Sequence, residues 1–448
     1  MSRRVVITGL GAVTPLGIGV GPLWEGMCAG KSGLRSIGRF DASGFACRLA
    51  GEVPEFSAKD FVPKHYRKAV KVMARDIELA VGAAKEAFED AGMVTRATLG
   101  EDATTGGTYP GARLGCHIGA GLISADAEEL GACLSTARRE DGTVDLEVWG
   151  SSGMENMTPL WMLKYLPNMV ASHVTILHGC EGPSNTITCA EASGILSIGE
   201  SVRAIERGAA DVCISGGAES KVNLMGLLRS EYAGRAAATG DATDGAQIVR
   251  PFDANSPGGL TGEAAGLVIV EAAETAAKRG AKVYAEVAGL GAGHSPMRPV
   301  LAGRPDSSGA KAPADEGFQA AIENAIADAG ITPEQIGACV MVGYGVPALD
   351  FAEAGALRAV FGAGLKKLPL VTIGPNVGNC WAGTAGVLAV VAARCIKEQR
   401  LPARVNTGSC AADIDGGAAP SREARLGYVL AVAGSLGGQN AAMILKAV

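Results

Sequence analysis

The sequence has few aromatic and few charged side chains for its length. Of its 448 residues, 4% are Phe, Trp or Tyr and 19% are charged, whereas 48% are hydrophobic. This hydrophobic content excludes a disordered chain and suffices for a large buried core. The length predicts roughly two to three structural units.

The chain also lacks a basic excess and long apolar runs. Its formal net charge is -6 at pH 7, whereas proteins that bind nucleic acids or membrane surfaces generally have a surplus of Lys and Arg. No run approaches the roughly 18 apolar residues that a membrane-spanning helix requires. Gly9, Gly11 and Pro15 break the first apolar run, which argues against a signal peptide. We therefore expect a cytoplasmic protein that binds neither nucleic acid nor a membrane.

Motifs for metals and nucleotides are missing as well. The eleven cysteines are scattered without a C-x-x-C pair, which argues against a zinc site, and their odd number suits a reducing compartment. The pair Gly9 and Gly11 lacks the third glycine of a dinucleotide-binding loop, and no phosphate-binding loop occurs. We therefore expect no metal and no nucleotide cofactor.

Short apolar segments rich in β-branched residues alternate with Ala-rich segments along the whole chain. This pattern predicts α/β layers whose sheets are buried on both faces. The predicted strands are 5–8, 113–118, 210–215, 265–271, 282–288, 338–342 and 426–433, and the predicted helices are 69–91, 193–207, 317–329, 351–361 and 385–398. The pattern recurs, which predicts an internal duplication with one half at 1–275 and the other at 276–448.

Eight segments together resemble the β-ketoacyl-ACP synthase II family. They are RRVVITGLGAVTPLG (3–17), NMVASH (168–173), GPS (182–184), GGAE (216–219), RPFD (250–253), GEAAG (262–266), KRGAKVYAE (278–286) and GGQN (437–440). The resemblance implies a thiolase-like, duplicated α-β-α-β-α five-layer fold and a dimer. It also implies a decarboxylative condensation of acyl groups, with the phosphopantetheine carried by an acyl carrier protein and no cofactor on the enzyme itself.

The catalytic positions depart from the family pattern. Active members have a nucleophilic cysteine at a helix start, two histidines that stabilise an enolate, and a lysine that supports the second histidine. The alignment places Glu191 at the cysteine, Val342 and Cys380 at the two histidines, and Pro375 at the lysine. A glutamate is a weak acyl acceptor and forms a labile anhydride. Since valine donates no hydrogen bond and a thiol only a weak one, we do not expect this chain to condense acyl groups alone.

The same alignment predicts further pocket and structural residues. Leu436 replaces the gating phenylalanine of the C-terminal glycine loop, Tyr344 follows Val342 by two residues, and Asn379 precedes Cys380. Cys189 is the cysteine nearest to the nucleophile position. Its use as a nucleophile would require a two-residue slip that takes the start of the following helix out of register.

Two charged features lie outside the three catalytic positions. Glu263 matches a family glutamate that supports the active-site loops, with a monovalent cation as one option for its partner. Arg67, Lys68, Lys71 and Arg75 form a basic group on a predicted helix. This group is either a docking surface for an acidic carrier protein or a solvated helix face.

Glu191 has two interpretations. In the structural one, backbone N–H groups at the helix start hold its carboxylate, with help from the hydroxyl of Tyr344. In the functional one, burial raises its pKa and it serves as a general base, on its own or for a nucleophilic Cys380. We favour the structural interpretation, because plain hydrogen-bond networks also perturb buried acids.

The substitution of the cysteine is similar to that in chain-length factors of type II polyketide synthases. Those homologues carry glutamine at this position, pair with an active ketosynthase and set the length of its product. Our leading hypothesis is a non-condensing partner of a cysteine-bearing ketosynthase. The alternatives are an enzyme that acts on acyl-ACP by hydrolysis, acyl transfer or atypical condensation, and a homodimer that binds acyl-ACP or lipid without chemistry.

Overall fold

The protein is built on one large mixed sheet. The computed structural model describes residues 3–99, 106–296 and 314–448. Within these ranges, ten strands form the body of the sheet, and Gly17–Ile18 pairs with the first of them. The ten are β1 (Val5–Thr14), β2 (Leu114–Gly119), β3 (Ser184–Ile187), β4 (Val212–Ser220), β5 (Glu263–Ala272), β6 (Ala285–His294), β7 (Ile336–Met341), β8 (Leu370–Thr372), β9 (Tyr428–Gly434) and β10 (Gln439–Lys446).

The sheet consists of two halves with the same topology. The strand orders are β3-β2-β4-β5-β1 and β8-β7-β9-β10-β6. In each half the first two pairings are parallel and the next two are antiparallel. The strands β1 and β6 pair with each other and join the halves. Because β5 ends at Ala272 and β6 begins at Ala285, we propose that the boundary between the halves lies near residue 275.

Six helices cover the two half-sheets. They are α1 (Arg75–Asp90), α2 (Met169–His178), α3 (Ser193–Glu206), α4 (Glu316–Ala329), α5 (Pro347–Phe361) and α6 (Ala382–Glu398). Helices α3 and α6 pack together between the half-sheets, α1 and α2 cover the outer face of one, and α4 and α5 that of the other. Helix α6 is apolar all round because sheets face it on both sides. The result is five layers.

Shorter elements surround this body. The remaining α-helices are Val20–Cys28, Arg96–Leu99, Ala127–Thr136, Leu146–Val148, Trp161–Tyr165, Leu224–Tyr232, Ala273–Lys278 and Gly374–Val377, and the small strand pairs are Leu34–Ser36 with Leu49–Gly51 and Arg400–Leu401 with Arg422–Glu423. Within the described ranges, no helix is both long and apolar enough to cross a membrane.

Several predicted boundaries were wrong: the strand predicted at 282–288 is Ala285–His294, the strand predicted at 210–215 is Val212–Ser220, and the helix predicted at 351–361 begins at Pro347. The helix predicted at 69–91 begins only at Arg75, because Met73 and Ala74 are extended and buried, and Lys64–Val72 forms 3-10 turns instead. The strand predicted at 5–8 continues to Thr14. Its glycines allow α1 to approach closely, since a Cβ on Gly11 would lie 2.0 Å from the carbonyl oxygen of Ala83.

Candidate functional site

Glu191 lies in a single 3-10 turn that leads from β3 into α3. The turn spans Ala190–Ala192, and α3 begins at Ser193. Glu191 is fully buried. Its Oε1 accepts hydrogen bonds from the guanidinium of Arg235 and from Nδ2 of Asn379 at 2.8 Å. The carboxylate is therefore held by side chains and not, as we expected, by backbone N–H groups of the helix start.

Arg235 is the residue of the site that the sequence did not predict. It follows the helix Leu224–Tyr232, and only 4% of its side chain is exposed. Its guanidinium carbon lies 4.5 Å from the ring centre of Trp381 and 5.4 Å from that of Tyr344. Glu191 and Arg235 thus form a buried ion pair whose cation is also stabilised by two aromatic faces.

Asn379 connects the ion pair to the start of α6. Besides its bond to Glu191, its Oδ1 accepts hydrogen bonds from the backbone N–H of Trp381 at 3.0 Å and from Oγ1 of Thr384 at 3.2 Å. Trp381 has a φ of 50° and Ala190 a φ of 46°. Such values are strained for residues other than glycine and cluster at functional sites.

Tyr344 supports the site from the other half of the chain. Its hydroxyl donates to the carbonyl oxygen of Gly434 and not to Glu191, which corrects our expectation. Its backbone N–H donates to Asp350 at 2.9 Å. Burial, reinforced by the charge of Glu191, raises the pKa of Tyr344 well above its ordinary value. The uncharged phenol of Tyr344 therefore packs against the guanidinium of Arg235.

The two positions that we predicted to match the family histidines are part of the apolar core. Val342 and Cys380 are both buried within one cluster of apolar residues. The sulfur of Cys380 approaches the carbonyl oxygens of Val377 and Gly378 at 3.5 and 3.8 Å. Burial, followed by the charges of Glu263 and Glu219, raises the pKa of Cys380 well above its ordinary value. A thiol in this environment stays protonated and is a poor nucleophile.

Cys189 and Leu436 lie at the margins of the site. Cys189 is half-buried, its backbone N–H donates to Oγ of Ser193 at 2.8 Å, and burial raises the pKa of its thiol. Leu436 is half-buried and lines a cleft of about 20 Å³ together with Tyr344 and Glu353.

Little space remains around the ion pair. The crevice between Arg235, Tyr344, Asn379, Trp381 and Thr261 measures about 10 Å³. A cavity needs at least about 10–15 Å³ to hold one water molecule. In this conformation the crevice has no room for an acyl chain or a pantetheine arm.

Glu263 is the centre of a second buried charge cluster. Its carboxylate accepts paired hydrogen bonds from Arg39 at 2.6 and 2.8 Å and from Arg75 at 2.9 and 3.2 Å. Ser220 and the backbone of Val53 add two more. Burial alone would raise the pKa of Glu263, but the bonds and charges of the two arginines outweigh it and lower the pKa to about 2. We considered a monovalent cation as one partner for Glu263. The two arginines supply that positive charge instead.

The predicted basic group is therefore smaller than expected. Arg75 points to Glu263 and is not part of a surface patch. Arg67, Lys68 and Lys71 are exposed on the 3-10 turns that precede α1. These three residues remain a predicted docking surface for an acidic carrier protein.

Two acids near Tyr344 were also missed as parts of the site. Asp350 accepts backbone hydrogen bonds from Phe252, Tyr344 and Gly345, yet burial raises its pKa to about 7. Burial and the neighbouring acids, beginning with Asp350, raise the pKa of Glu353 well above its ordinary value.

Comparisons with known proteins give consistent matches over the whole chain. The family models "Beta-ketoacyl synthase, N-terminal domain" and "Beta-ketoacyl synthase, C-terminal domain" match residues 2–276 and 300–408. The chain is 30% identical to 3-oxoacyl-(acyl-carrier-protein) synthase 2 of Staphylococcus aureus (strain COL), over 99% of this chain and 98% of the relative. It is also 30% identical to the protein of the same name from Coxiella burnetii (strain RSA 493 / Nine Mile phase I), over 100% and 99%.

Two solved structures cover the chain completely and are covered completely by it. One is the ishigamide ketosynthase/chain length factor, with a TM-score of 0.79 and 26% identity. The other is a beta-ketoacyl synthase from Burkholderia phymatum STM815, with a TM-score of 0.80 and 24% identity. These matches confirm the predicted thiolase-like five-layer fold.

Proposed function

Because this chain belongs to the β-ketoacyl synthase family, we propose that it is a non-condensing subunit of the chain-length-factor kind. It dimerises with a cysteine-bearing ketosynthase and shapes the acyl pocket of that partner in fatty acid or polyketide biosynthesis. The observation that carries this proposal is the buried pair of Glu191 and Arg235, which lies where we predicted the family nucleophile.

The ion pair removes Glu191 from acyl chemistry for two reasons. Oε1 of the carboxylate is already occupied by hydrogen bonds from Arg235 and Asn379, and a carboxylate is in any case a weak acyl acceptor. The crevice of about 10 Å³ beside the ion pair also has no room for a thioester. Structural support for the core is therefore the role of Glu191 that this geometry favours.

Enolate stabilisation has no equivalent here either. A developing enolate oxygen requires strong donors that are already in place and point at it. Val342 offers an apolar side chain, and the thiol of Cys380 is directed at backbone carbonyl oxygens. We infer that an active site for condensation would have to come from a second polypeptide.

An edge strand and an exposed apolar surface support a dimer. Strand β3 is at the edge of the sheet, and its residues Ser184 and Asn185 are exposed. Leu146, Leu160 and Met162, which belong to the chain segment before α2, are 77%, 71% and 58% exposed. An unpaired sheet edge and exposed large apolar side chains are typical of surfaces that another protein covers. We propose that a ketosynthase covers them, or else a second copy of this chain.

The names of the relatives support the choice of partner and substrate. One matching structure is described as a ketosynthase/chain length factor, and the sequence relatives are named as synthases of the acyl-carrier-protein type. We propose that the partner's substrate is an acyl group on the phosphopantetheine of a carrier protein. The exposed residues Arg67, Lys68 and Lys71 are our candidates for docking that carrier.

A reconstituted assay with the full chain tests the proposal. The chain alone, given malonyl-ACP and an acyl-ACP, is expected to release carbon dioxide and form β-ketoacyl-ACP only at background rates. Addition of the cysteine-bearing synthase that copurifies with it is expected to give product. The matched variant Glu191→Gln, which keeps the shape of the side chain and removes the charge, should leave the product formed per folded complex unchanged, while the unpaired Arg235 lowers the stability of the variant. Turnover by the chain alone that is lost in Glu191→Gln would instead establish an enzyme with altered chemistry.

A further inference from the structure

Three residues that line the crevice beside the ion pair each have a hydrogen-bond donor without a partner. Among the described residues, Nη1 of Arg235, Oγ1 of Thr261 and Nε1 of Trp381 are buried and make no hydrogen bond. Arg235 and Thr261 are 5% and 4% exposed. Buried polar groups are almost always hydrogen-bonded, because an unpaired donor loses its interaction with water without compensation.

The fixed position of Arg235 prevents its Nη1 from finding a protein acceptor. Its Nη2 is bound to Glu191, and the face of the guanidinium lies against the ring of Trp381. Rotation of the guanidinium would break the ion pair and the aromatic contact together. Trp381 is fixed in turn, because its backbone N–H is bound to Oδ1 of Asn379.

We propose that this crevice binds a single water molecule, which accepts hydrogen bonds from Arg235 and Trp381 and also binds Thr261. The volume of about 10 Å³ lies at the lower limit for one water molecule. All three lining groups can donate, so the bound atom must be a hydrogen-bond acceptor, either a water oxygen or a halide ion. The proposal concerns this chain's own residues and does not depend on the identity of its partner.

The charge of the site favours water over a halide. Arg235 is already neutralised by Glu191, so the crevice has no uncompensated positive charge. The other oxygen of Glu191, Oε2, is also buried and unpaired. This carboxylate repels a halide, whereas a water molecule has two hydrogens to donate.

A crystal structure of the full chain, with any copurifying partner and with sodium bromide in the crystallisation solution, tests the occupant. The expected result is one spherical density peak within about 2.7–3.2 Å of Nη1 of Arg235 and Nε1 of Trp381, without an anomalous bromide signal. A bromide peak would overturn the assignment to water. The proposed site would be overturned if the crevice had no density. It would also be overturned if Arg235, Thr261 and Trp381 donated their hydrogen bonds to protein acceptors instead.

A pair of threonine variants tests the same site in solution. Thr372 also has a buried hydroxyl without a partner, but it lies outside the crevice. The substitution Thr261→Val is expected to lower the melting temperature by about 2 °C, because a hydrogen bond to water is lost. The control Thr372→Val is expected to leave it unchanged or raise it. Equal responses of the two variants would mean that no water binds Thr261.

Discussion

At the scale of single residues, the carboxylate of Glu191 is paired in the core with the guanidinium of Arg235. The position of Glu191 could be predicted, since the sequence around it aligns with the family motif without a gap. Arg235 could not, although buried charges are usually paired. The chain has 40 Lys and Arg residues, and no spacing rule selects the one that lies 44 residues further along the chain. Arg235 is placed beside Glu191 by packing against the rings of Tyr344 and Trp381, and the position of those rings depends on the whole fold.

The first prediction concerns this ion pair. The substitution Arg235→Met leaves Glu191 buried without a countercharge and is expected to lower the free energy of unfolding by about 3–5 kcal/mol. The double variant Glu191→Gln/Arg235→Met is expected to recover more than half of this loss, because no charge is then buried. Unfolding in guanidinium chloride of the parent, the two single variants and the double variant, all at one protein concentration, measures the coupling energy between the two side chains. Additive losses would show that the two side chains do not interact.

The second prediction concerns the two cysteines that were considered as nucleophiles. In the native protein, iodoacetamide is expected to modify the half-buried Cys189 before the fully buried Cys380. Its complete burial and its raised pKa both protect the thiol of Cys380 from alkylation. Peptide mass spectrometry after timed alkylation provides the readout, and protein unfolded in guanidinium provides the control. Rapid native modification of Cys380 would favour the alternative in which it is a nucleophile.

At the scale of secondary-structure elements, Glu263 links several segments of the chain through hydrogen bonds. It begins β5, and its carboxylate binds Arg75 in the first turn of α1, Arg39 in a preceding loop and Ser220 at the end of β4. The family resemblance predicted a scaffolding role for Glu263 but not the arginines that perform it. The sequence instead suggested that Arg75 belongs to a basic surface, because a helix predicted from residue 69 places it beside Lys71.

The third prediction follows from the lowered pKa of Glu263. A carboxyl with a pKa of about 2 in the folded protein, below its ordinary value, stabilises the fold at neutral pH. This contribution is lost as the pH falls from about 5 towards 2. The variant Glu263→Gln is expected to be less stable than the parent by about 3 kcal/mol at pH 7, and the gap is expected to narrow with acidification. The half-exposed Glu274, which is paired with Arg3, serves as the control: Glu274→Gln should change stability by less than about 1 kcal/mol. A gap for Glu263→Gln that does not change with pH would contradict this account.

Most helices and strands could be predicted because their apolar patterns are local. The boundaries that failed depend on tertiary contacts. Gly9 and Gly11 suggested the end of a strand, yet they continue β1 because α1 packs directly on their backbone. Lys64–Val72 suggested the start of a long helix, but the extended and buried Met73 and Ala74 separate it from α1.

At the scale of the whole molecule, the two half-sheets repeat one topology but differ at their outer edges. The edge strand β3 is preceded by the segment with the exposed residues Leu146, Leu160 and Met162. The family resemblance predicted a dimer, and we propose that this region is its interface. The identity of the second chain depends on a surface that belongs to another protein, so this sequence cannot supply it.

The fourth prediction concerns that surface. The double substitution Leu160→Glu/Met162→Glu places two charges on side chains that are 71% and 58% exposed. It is expected to weaken association with the partner at least about tenfold, since even 1.4 kcal/mol changes an association constant by that factor. Because the side chains are exposed in the monomer, circular dichroism should be unchanged. Size-exclusion chromatography with light scattering measures the association, and Val448→Glu, at an exposed C-terminal residue, is the control. Unchanged assembly of the double variant would place the partner elsewhere.

The central claim, that this chain works as the non-condensing half of a pair, is tested most directly by native mass spectrometry of the tagged protein purified from its own cells. The account predicts a heterodimer in which the second chain is a ketosynthase with cysteine at the position equivalent to Glu191 and histidines at those of Val342 and Cys380. A homodimer alone, without such a partner, would contradict it.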